Sequence, residues 1–187
     1  MKFILASASP RRKELFNKYK LDFDILVSDI DEKSNDTLSP LENVMELAKQ
    51  KCLNVLSKVV NQIVIAADTI VVYDNKIYGK PKDELDAFNM LKTLSNKTHQ
   101  VITAVAIGYN NDIEVNYEIS DVTFKEIEDE EIKEYIKTKE PLDKAGSYAI
   151  QGIGSKFVLY YQGSYENIIG MPMELVLKMI AKIKILG

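Results

Sequence analysis

Within its first fifteen residues the chain hands a strand directly to a helix, and that start points to an α/β fold. Phe3-Ile4-Leu5-Ala6 is a short apolar run; Ser7-Ala8-Ser9 follows, then Pro10, Arg11, Arg12 and a helical pattern. Proline suits the first helical turn, where its missing N–H costs nothing. Free N–H groups and the positive end of the helix dipole attract anions at such a point. Guanidinium groups add bidentate pairing to phosphate oxygens. Ser7, Ser9, Arg11 and Arg12 together can therefore grip a phosphate chain. A capped surface helix with solvated charges would show the same residues.

The rest of the chain continues the alternation. Strands are predicted at Lys2 to Ala6 and Phe23 to Ser28, with a helix from Pro10 to Lys20 between them. Residues 29–39 are acidic and polar and read as a loop. Pro40 opens a helix to about Val59, with Leu41, Val44, Met45, Ala48, Cys52, Val55, Leu56 and Val59 as its apolar stripe. Gln62 to Ala67 and Thr69 to Tyr73 are β-rich runs on either side of Asp68, and Ile77-Tyr78 is a short return strand. A helix spans Asp83 to Leu94. Gln100 to Tyr109 and Val115 to Phe124 read as strands joined by Asn110-Asn111-Asp112. Asp129 to Thr138 is helical, Gly146 to Ser155 a glycine-punctuated loop or short strand, Phe157 to Tyr161 a strand and Pro172 to Ile185 a final helix. The expectation is a mixed twisted sheet with flanking helices, in two lobes around a central cleft. No composition shift marks a boundary, so residues 1–187 are read as one domain.

The formal net charge of −4 argues against binding long nucleic acid, which relies on phosphate neutralisation. It leaves room for a small phosphorylated ligand in a locally basic pocket. One cysteine, Cys52, excludes an intrachain disulfide and a thiolate cluster, and it falls on an apolar stripe, so it reads as core. A cytoplasmic protein is expected. The C-terminal run from Leu175 is broken by Lys178, Lys182 and Lys184; it reads as amphipathic, too short and too charged to span a bilayer.

Several residues are candidates for chemistry. Asp68 interrupts Ile63-Val-Ile-Ala-Ala-Asp-Thr-Ile-Val-Val-Tyr73, where a carboxylate is costly unless paired, metal-bound or at a strand end. A bend between two strands is the plainer explanation. Glu32, in the acidic loop, could join Asp68 in holding Mg²⁺, which takes few carboxylates plus waters and phosphates. Lys49 and Lys51 both flank the helix stripe, and spacing does not choose between them. Lys80 is framed by Gly79 and Pro81, which fix the backbone around it, as a surface turn also would. Gln151 offers a donor and an acceptor that complement a uracil or thymine edge, or simply meet water. His99, the single histidine, has no partner for a zinc site and reads as structural. Gly152 to Lys156 is not a phosphate loop, because the Gly-Lys-Ser/Thr order is absent.

Taken in order, Leu5-Ala-Ser-Ala-Ser-Pro-Arg-Arg12, Ala66-Ala-Asp-Thr69, Gly79-Lys-Pro81, Thr98-His-Gln-Val-Ile-Thr-Ala-Val105, Glu140-Pro-Leu-Asp-Lys-Ala-Gly-Ser-Tyr148, Ile150-Gln-Gly152, Gly163-Ser-Tyr165 and Gly170-Met-Pro172 resemble the Maf family of nucleoside triphosphate pyrophosphatases. Met171, where leucine is usual, and Tyr78-Gly79 before Lys80 are minor departures. The resemblance implies a Maf/inosine-triphosphatase-like fold and metal-dependent hydrolysis, with Mg²⁺ or Mn²⁺, of a nucleoside triphosphate to the monophosphate and pyrophosphate. It implies Asp68 as proton acceptor and Arg11, Thr69 and Gln151 as determinants of substrate choice. It further implies Ser7, Ser9, Arg11, Arg12, Lys51 and Lys80 on the phosphates, and Glu32 with Asp68 on the metal. Lys51 is preferred to Lys49 on this ground alone. Ile-Gln-Gly resembles the branch acting on dTTP and UTP. A homodimer is also expected from the family. The competing implication is a nucleotide-binding regulator of septum formation that acts through a protein partner.

Overall fold

The computed structural model describes residues 2–33, 35–110 and 112–186, with side chains as far as Ile183. Its elements are β1 (Phe3–Leu5), α1 (Pro10–Lys18), β2 (Phe23–Ile25), α2 (Pro40–Leu56), β3 (Ile63–Tyr73), β4 (Lys76–Tyr78), α3 (Glu84–Leu94), β5 (Thr98–Tyr109), β6 (Asp112–Phe124), α4 (Asp129–Lys137), β7 (Val158–Gln162), α5 (Tyr165–Ile169) and α6 (Met173–Leu186). One seven-stranded sheet runs β2-β1-β3-β5-β6-β7, with β4 paired to β3. It is mixed: β1 pairs β2 and β3 in parallel, whereas β3–β4 and β6–β7 are antiparallel. The mixed sheet with flanking helices is the architecture expected. No helix among the described residues is long and apolar enough to cross a membrane.

The chain divides into two compact units. The first takes the chain up to Asp68, Thr103–Glu118 and Gly170 onward; the second takes Thr69–Ile102 and Ile119–Ile169.

In the first unit β1 is buried at every residue, with Phe3 opposite Phe23 on one side and Ile63 on the other. Parallel strands covered on both faces read as unbroken apolar runs, which Phe3–Leu5 and Ile63–Ala67 are. Helix α1 makes the crossover between β1 and β2 and buries Leu15 and Phe16. The Phe16 ring meets Phe23 edge to face at 5.2 Å. Helix α2 starts with a capping box, in which Ser39 and Glu42 satisfy each other's backbone N–H groups, and Pro40 follows at the first helical turn. Its buried face holds Val44, Ala48, Cys52 and Val55, as the stripe predicts, and also Lys51. Burial pushes the Cys52 thiol up to about 12, consistent with a core residue.

The second unit is organised around aromatic rings. Phe124 packs against His99, Tyr148 and Phe157, and Phe157 against Tyr135. His99 is 1% exposed, and its Nε2 lies 2.8 Å from the Tyr148 hydroxyl, in keeping with a structural histidine. Gly146 lies at φ +65°, a region glycine enters freely, and an added Cβ would meet Val71 at 2.8 Å.

Several bounds differ from the sequence reading, and α5 has no counterpart there. β3 is one continuous strand through Asp68, not two runs around a bend. β2 ends at Ile25 instead of Ser28: Leu26 N–H still donates to Leu5, and the chain then leaves the sheet. α2 stops at Leu56, three residues short of Val59. Of the two alternatives for Gly146 to Ser155 the loop holds and the short strand does not; short 3-10 turns at Glu140–Asp143, Ala145–Ser147 and Ile153–Phe157 connect α4 to β7. β5 and β6 are sheet neighbours, as expected, though Asn111 of their connection lies outside the described residues.

Candidate active site

Asp68 is buried, at 8% exposure, in the middle of β3. A lone carboxylate there would be strongly disfavoured. Its partner is Lys51, one turn from Ala48 on the buried face of α2, whose Nζ lies 2.6 Å from Asp68 Oδ1. The same Nζ lies 2.9 Å from Glu32 Oε2, on the loop after β2. Two carboxylates 36 residues apart in sequence thus converge on one cationic centre, and the choice between Lys49 and Lys51 is decided: Lys49 is exposed.

A second knot holds the turn between β1 and α1. Ser7 is buried, and its Oγ accepts from Ser9 N–H and from the Arg12 guanidinium, both at 3.2 Å. Arg12 also donates to the Ala67 carbonyl at 2.7 Å and, through Nε, to the Gly170 carbonyl at 2.8 Å. Arg12 therefore ties the α1 turn, the residue before Asp68 and the entry to α6. Burial lowers the Arg12 pKa from its ordinary value, a shift opposed by Asp68 and Glu32 and reinforced by Arg11. Ser9 is the N-cap residue of α1, yet its side chain makes no capping hydrogen bond. The half-buried Ser9 and Arg11 thus flank a helix N-terminus whose first N–H groups its own cap leaves unsatisfied.

Three expected site residues belong to the second unit. Thr69, next to Asp68, is half-buried. Lys80 is exposed and makes no ion pair among the described residues; its turn is fixed by the buried Pro81 and by Gly79, whose carbonyl accepts from Gly146 N–H at 3.1 Å. Gln151 is exposed on the turn that leads into Ile153–Phe157.

The Maf-like protein profile matches residues 2–183. The chain belongs to that family. Among curated relatives of this Maf-like chain, the dTTP/UTP pyrophosphatase of Bacillus cytotoxicus is 50% identical over 172 residues, 92% of this chain and 90% of that one. The dTTP/UTP pyrophosphatase of Bacillus mycoides is 49% identical over the same shares. The Staphylococcus aureus Ham1 structure aligns with a TM-score of 0.50 over 86% of this chain and 81% of that one; at 15% identity the likeness is one of fold.

Among the described residues of the Maf-like chain no group of three or more His, Cys, Asp or Glu side chains is placed to hold a metal ion. The carboxylates nearest to such a site are Glu32 and Asp68, which converge on Lys51. Two carboxylates suit Mg²⁺ or Mn²⁺ when waters and substrate phosphates supply the remaining oxygens. In the second unit one buttressing residue was not singled out from the sequence. Glu140 lies within a quoted motif, but its partners are backbone N–H groups at Ile153 and Gly154, which leave no mark in residue types. The one available cue was a glutamate opening a glycine-punctuated stretch.

Proposed function

We propose that the chain is a nucleoside triphosphate pyrophosphatase that hydrolyses dTTP and UTP to the monophosphate and pyrophosphate. The observation that carries the reading is the buried Lys51–Asp68 pair with Glu32 on the same ammonium. It supplies a carboxylate within a rigid strand, next to groups suited to polyphosphate. The names of the 50% and 49% identical relatives support the same chemistry and the pyrimidine preference.

In this reading Asp68 accepts a proton from the water that attacks the α-phosphorus, and pyrophosphate leaves. Ser9 and Arg11 bind phosphate oxygens at the start of α1, with Lys51 and Lys80 adding positive charge. Ser7 and Arg12 contribute by fixing that turn relative to Ala67, through the hydrogen bonds just described. Glu32 and Asp68 would hold a divalent cation together with substrate phosphates; when bound it supplies charge neutralisation on the phosphates and the leaving group. Gln151 presents its amide to the donor–acceptor edge of the pyrimidine, with Thr69 and Arg11 assisting substrate choice. A cytoplasmic location is part of the proposal.

The test is a panel of nucleoside triphosphates with Mg²⁺ or Mn²⁺, with pyrophosphate and orthophosphate separated. Monophosphate and pyrophosphate from dTTP and UTP, well above GTP and ATP, is the expected result. Orthophosphate release would move the attack to the γ-phosphorus and end this mechanism. Tight nucleotide binding without hydrolysis would favour the regulatory reading instead.

A further inference from the structure

Gln151 is exposed, yet the turn that carries it is built on a single carboxylate. Glu140 Oε2 accepts from Ile153 N–H at 3.0 Å, and Oε1 accepts from Gly154 N–H at 3.0 Å and from the Tyr135 hydroxyl at 2.8 Å. The space beneath the turn is filled by these groups. An added Cβ at Gly152 would lie 2.5 Å from Glu140 Oε1, and one at Gly154 would lie 2.6 Å from the Tyr135 hydroxyl oxygen. A Cβ at either glycine would therefore displace the anchor. The turn is closed from its other side by Ser155, whose N–H and Oγ both donate to the Gly152 carbonyl.

The anchor is itself held. Tyr135 is fully buried on α4 and packs edge to face on Phe157 at 5.1 Å. Pro141, next to Glu140, is buried, and Glu140 N–H donates to Thr138 Oγ1. Burial alone would raise the Glu140 carboxyl, but the two backbone N–H groups, the Tyr135 hydroxyl and the Lys144 charge outweigh it and leave the pKa below the ordinary carboxylate range. Two amide donors from adjacent residues, received by the two oxygens of one ionised carboxylate, fix both the position and the tilt of the peptide planes after Gln151.

We propose that Glu140 is a specificity-positioning residue: its carboxylate sets the backbone of residues 151–154 and so the direction in which the Gln151 amide faces the base. The inference rests on the reading of Gln151 as the group that meets the pyrimidine. Glu140 touches no substrate; it acts through the turn.

Glu140→Gln is the informative substitution. It keeps the volume and one acceptor oxygen, but turns an NH₂ donor toward an N–H or O–H donor, so one of the contacts becomes repulsive. The experiment measures kcat/KM for UTP, dTTP and GTP in the wild type, Glu140→Gln, Tyr135→Phe and Gln151→Ala, with thermal melting of each. The expected result is a loss of about ten-fold in the UTP-to-GTP ratio for Glu140→Gln, the scale seen when an outer residue that orients a ligand is removed. A smaller loss in the same direction is expected for Tyr135→Phe. A merely structural defect lowers the active fraction for all substrates alike and leaves the ratio unmoved. If Gln151→Ala collapses the ratio while Glu140→Gln and Tyr135→Phe leave it intact, the positioning role is overturned and the reading of Gln151 stands. If Gln151→Ala leaves the ratio intact, the reading of Gln151 itself fails and takes this inference with it. Should Glu140→Gln not fold, Tyr135→Phe alone decides between the first two outcomes.

Discussion

A carboxylate set between Ala66, Ala67 and Ile70, all buried, is tolerable because Lys51 meets it, and Lys51 in turn has a second carboxylate in Glu32. The three side chains do not fail alike. Lys51→Met strips Asp68 of its ammonium and leaves a buried charge; breaking such a pair costs about 3–5 kcal/mol. Asp68→Asn leaves Lys51 with Glu32 and should cost less. Urea denaturation of the two variants is expected to place Lys51→Met as the less stable. Activity should rank them differently, because Asp68→Asn removes the proposed proton acceptor and is expected to abolish most turnover while substrate affinity largely survives. Single-turnover kinetics beside equilibrium binding of a non-hydrolysable analogue checks this. The sequence reading had already weighed Asp68 as a paired carboxylate against Asp68 as a turn former. The pairing is the favoured of the two, but apolar spacing does not name the partner, because it lies 17 residues away on another element. The same limit applied to Lys49 and Lys51: helical periodicity puts both beside the stripe, and the tertiary partner selects one.

At the scale of elements, the strands and helices with clear periodicity were legible. α2, α3, β5, β6 and α6 exist where apolar spacing and caps put them, with ends that shift by up to three residues. β3 was split in the reading because a charged residue inside an apolar run usually marks a turn, and here it marks a buried ion pair. The glycine-rich region after α4 was hardest, since its shape comes from Glu140, which accepts from two backbone N–H groups and the Tyr135 hydroxyl, and from the Gly79 carbonyl, contacts invisible in a residue string. β5 and the loop before Gln151 are joined by the His99–Tyr148 contact, and this pair has a consequence for stability. Burial depresses the His99 pKa to about 4. Between that value and the ordinary 6.5 the unfolded chain binds a proton that the folded chain does not, so stability rises with pH across this window. The contribution is fully present above about 6.5 and lost near 4; a shift of that size corresponds to about 3 kcal/mol. Chemical denaturation at pH 5 and pH 7 should show the slope, and His99→Gln should flatten it.

Over the whole molecule, a net charge of −4 coexists with positive groups gathered at the start of α1 and on α2. Binding of long nucleic acid gains its strength from neutralising many phosphates at once. A molecule of this net charge should not retard duplex DNA in a gel at physiological salt, and a salt-sensitive shift would contradict that. The family and the mixed sheet were readable from ordered motifs that span the chain, whereas the division into two units was expected without its boundaries. Those boundaries fall at Asp68/Thr69, Ile102/Thr103, Glu118/Ile119 and Ile169/Gly170, inside strands or at a turn, where composition does not change.

Arg12 bonds to a carbonyl 158 residues further along the chain. Closing a loop of that length must wait until the chain has been made through Gly170, and long-range closures come late because their entropy is lost before contacts compensate. A nascent chain that ends before Gly170 already contains the α1 turn, Lys51 and Asp68. It lacks the Gly170 carbonyl that accepts from Arg12 Nε. The α1 turn therefore reaches its final hydrogen bonding only after Gly170 has been made, whereas the Lys51–Asp68 pair needs nothing beyond β3.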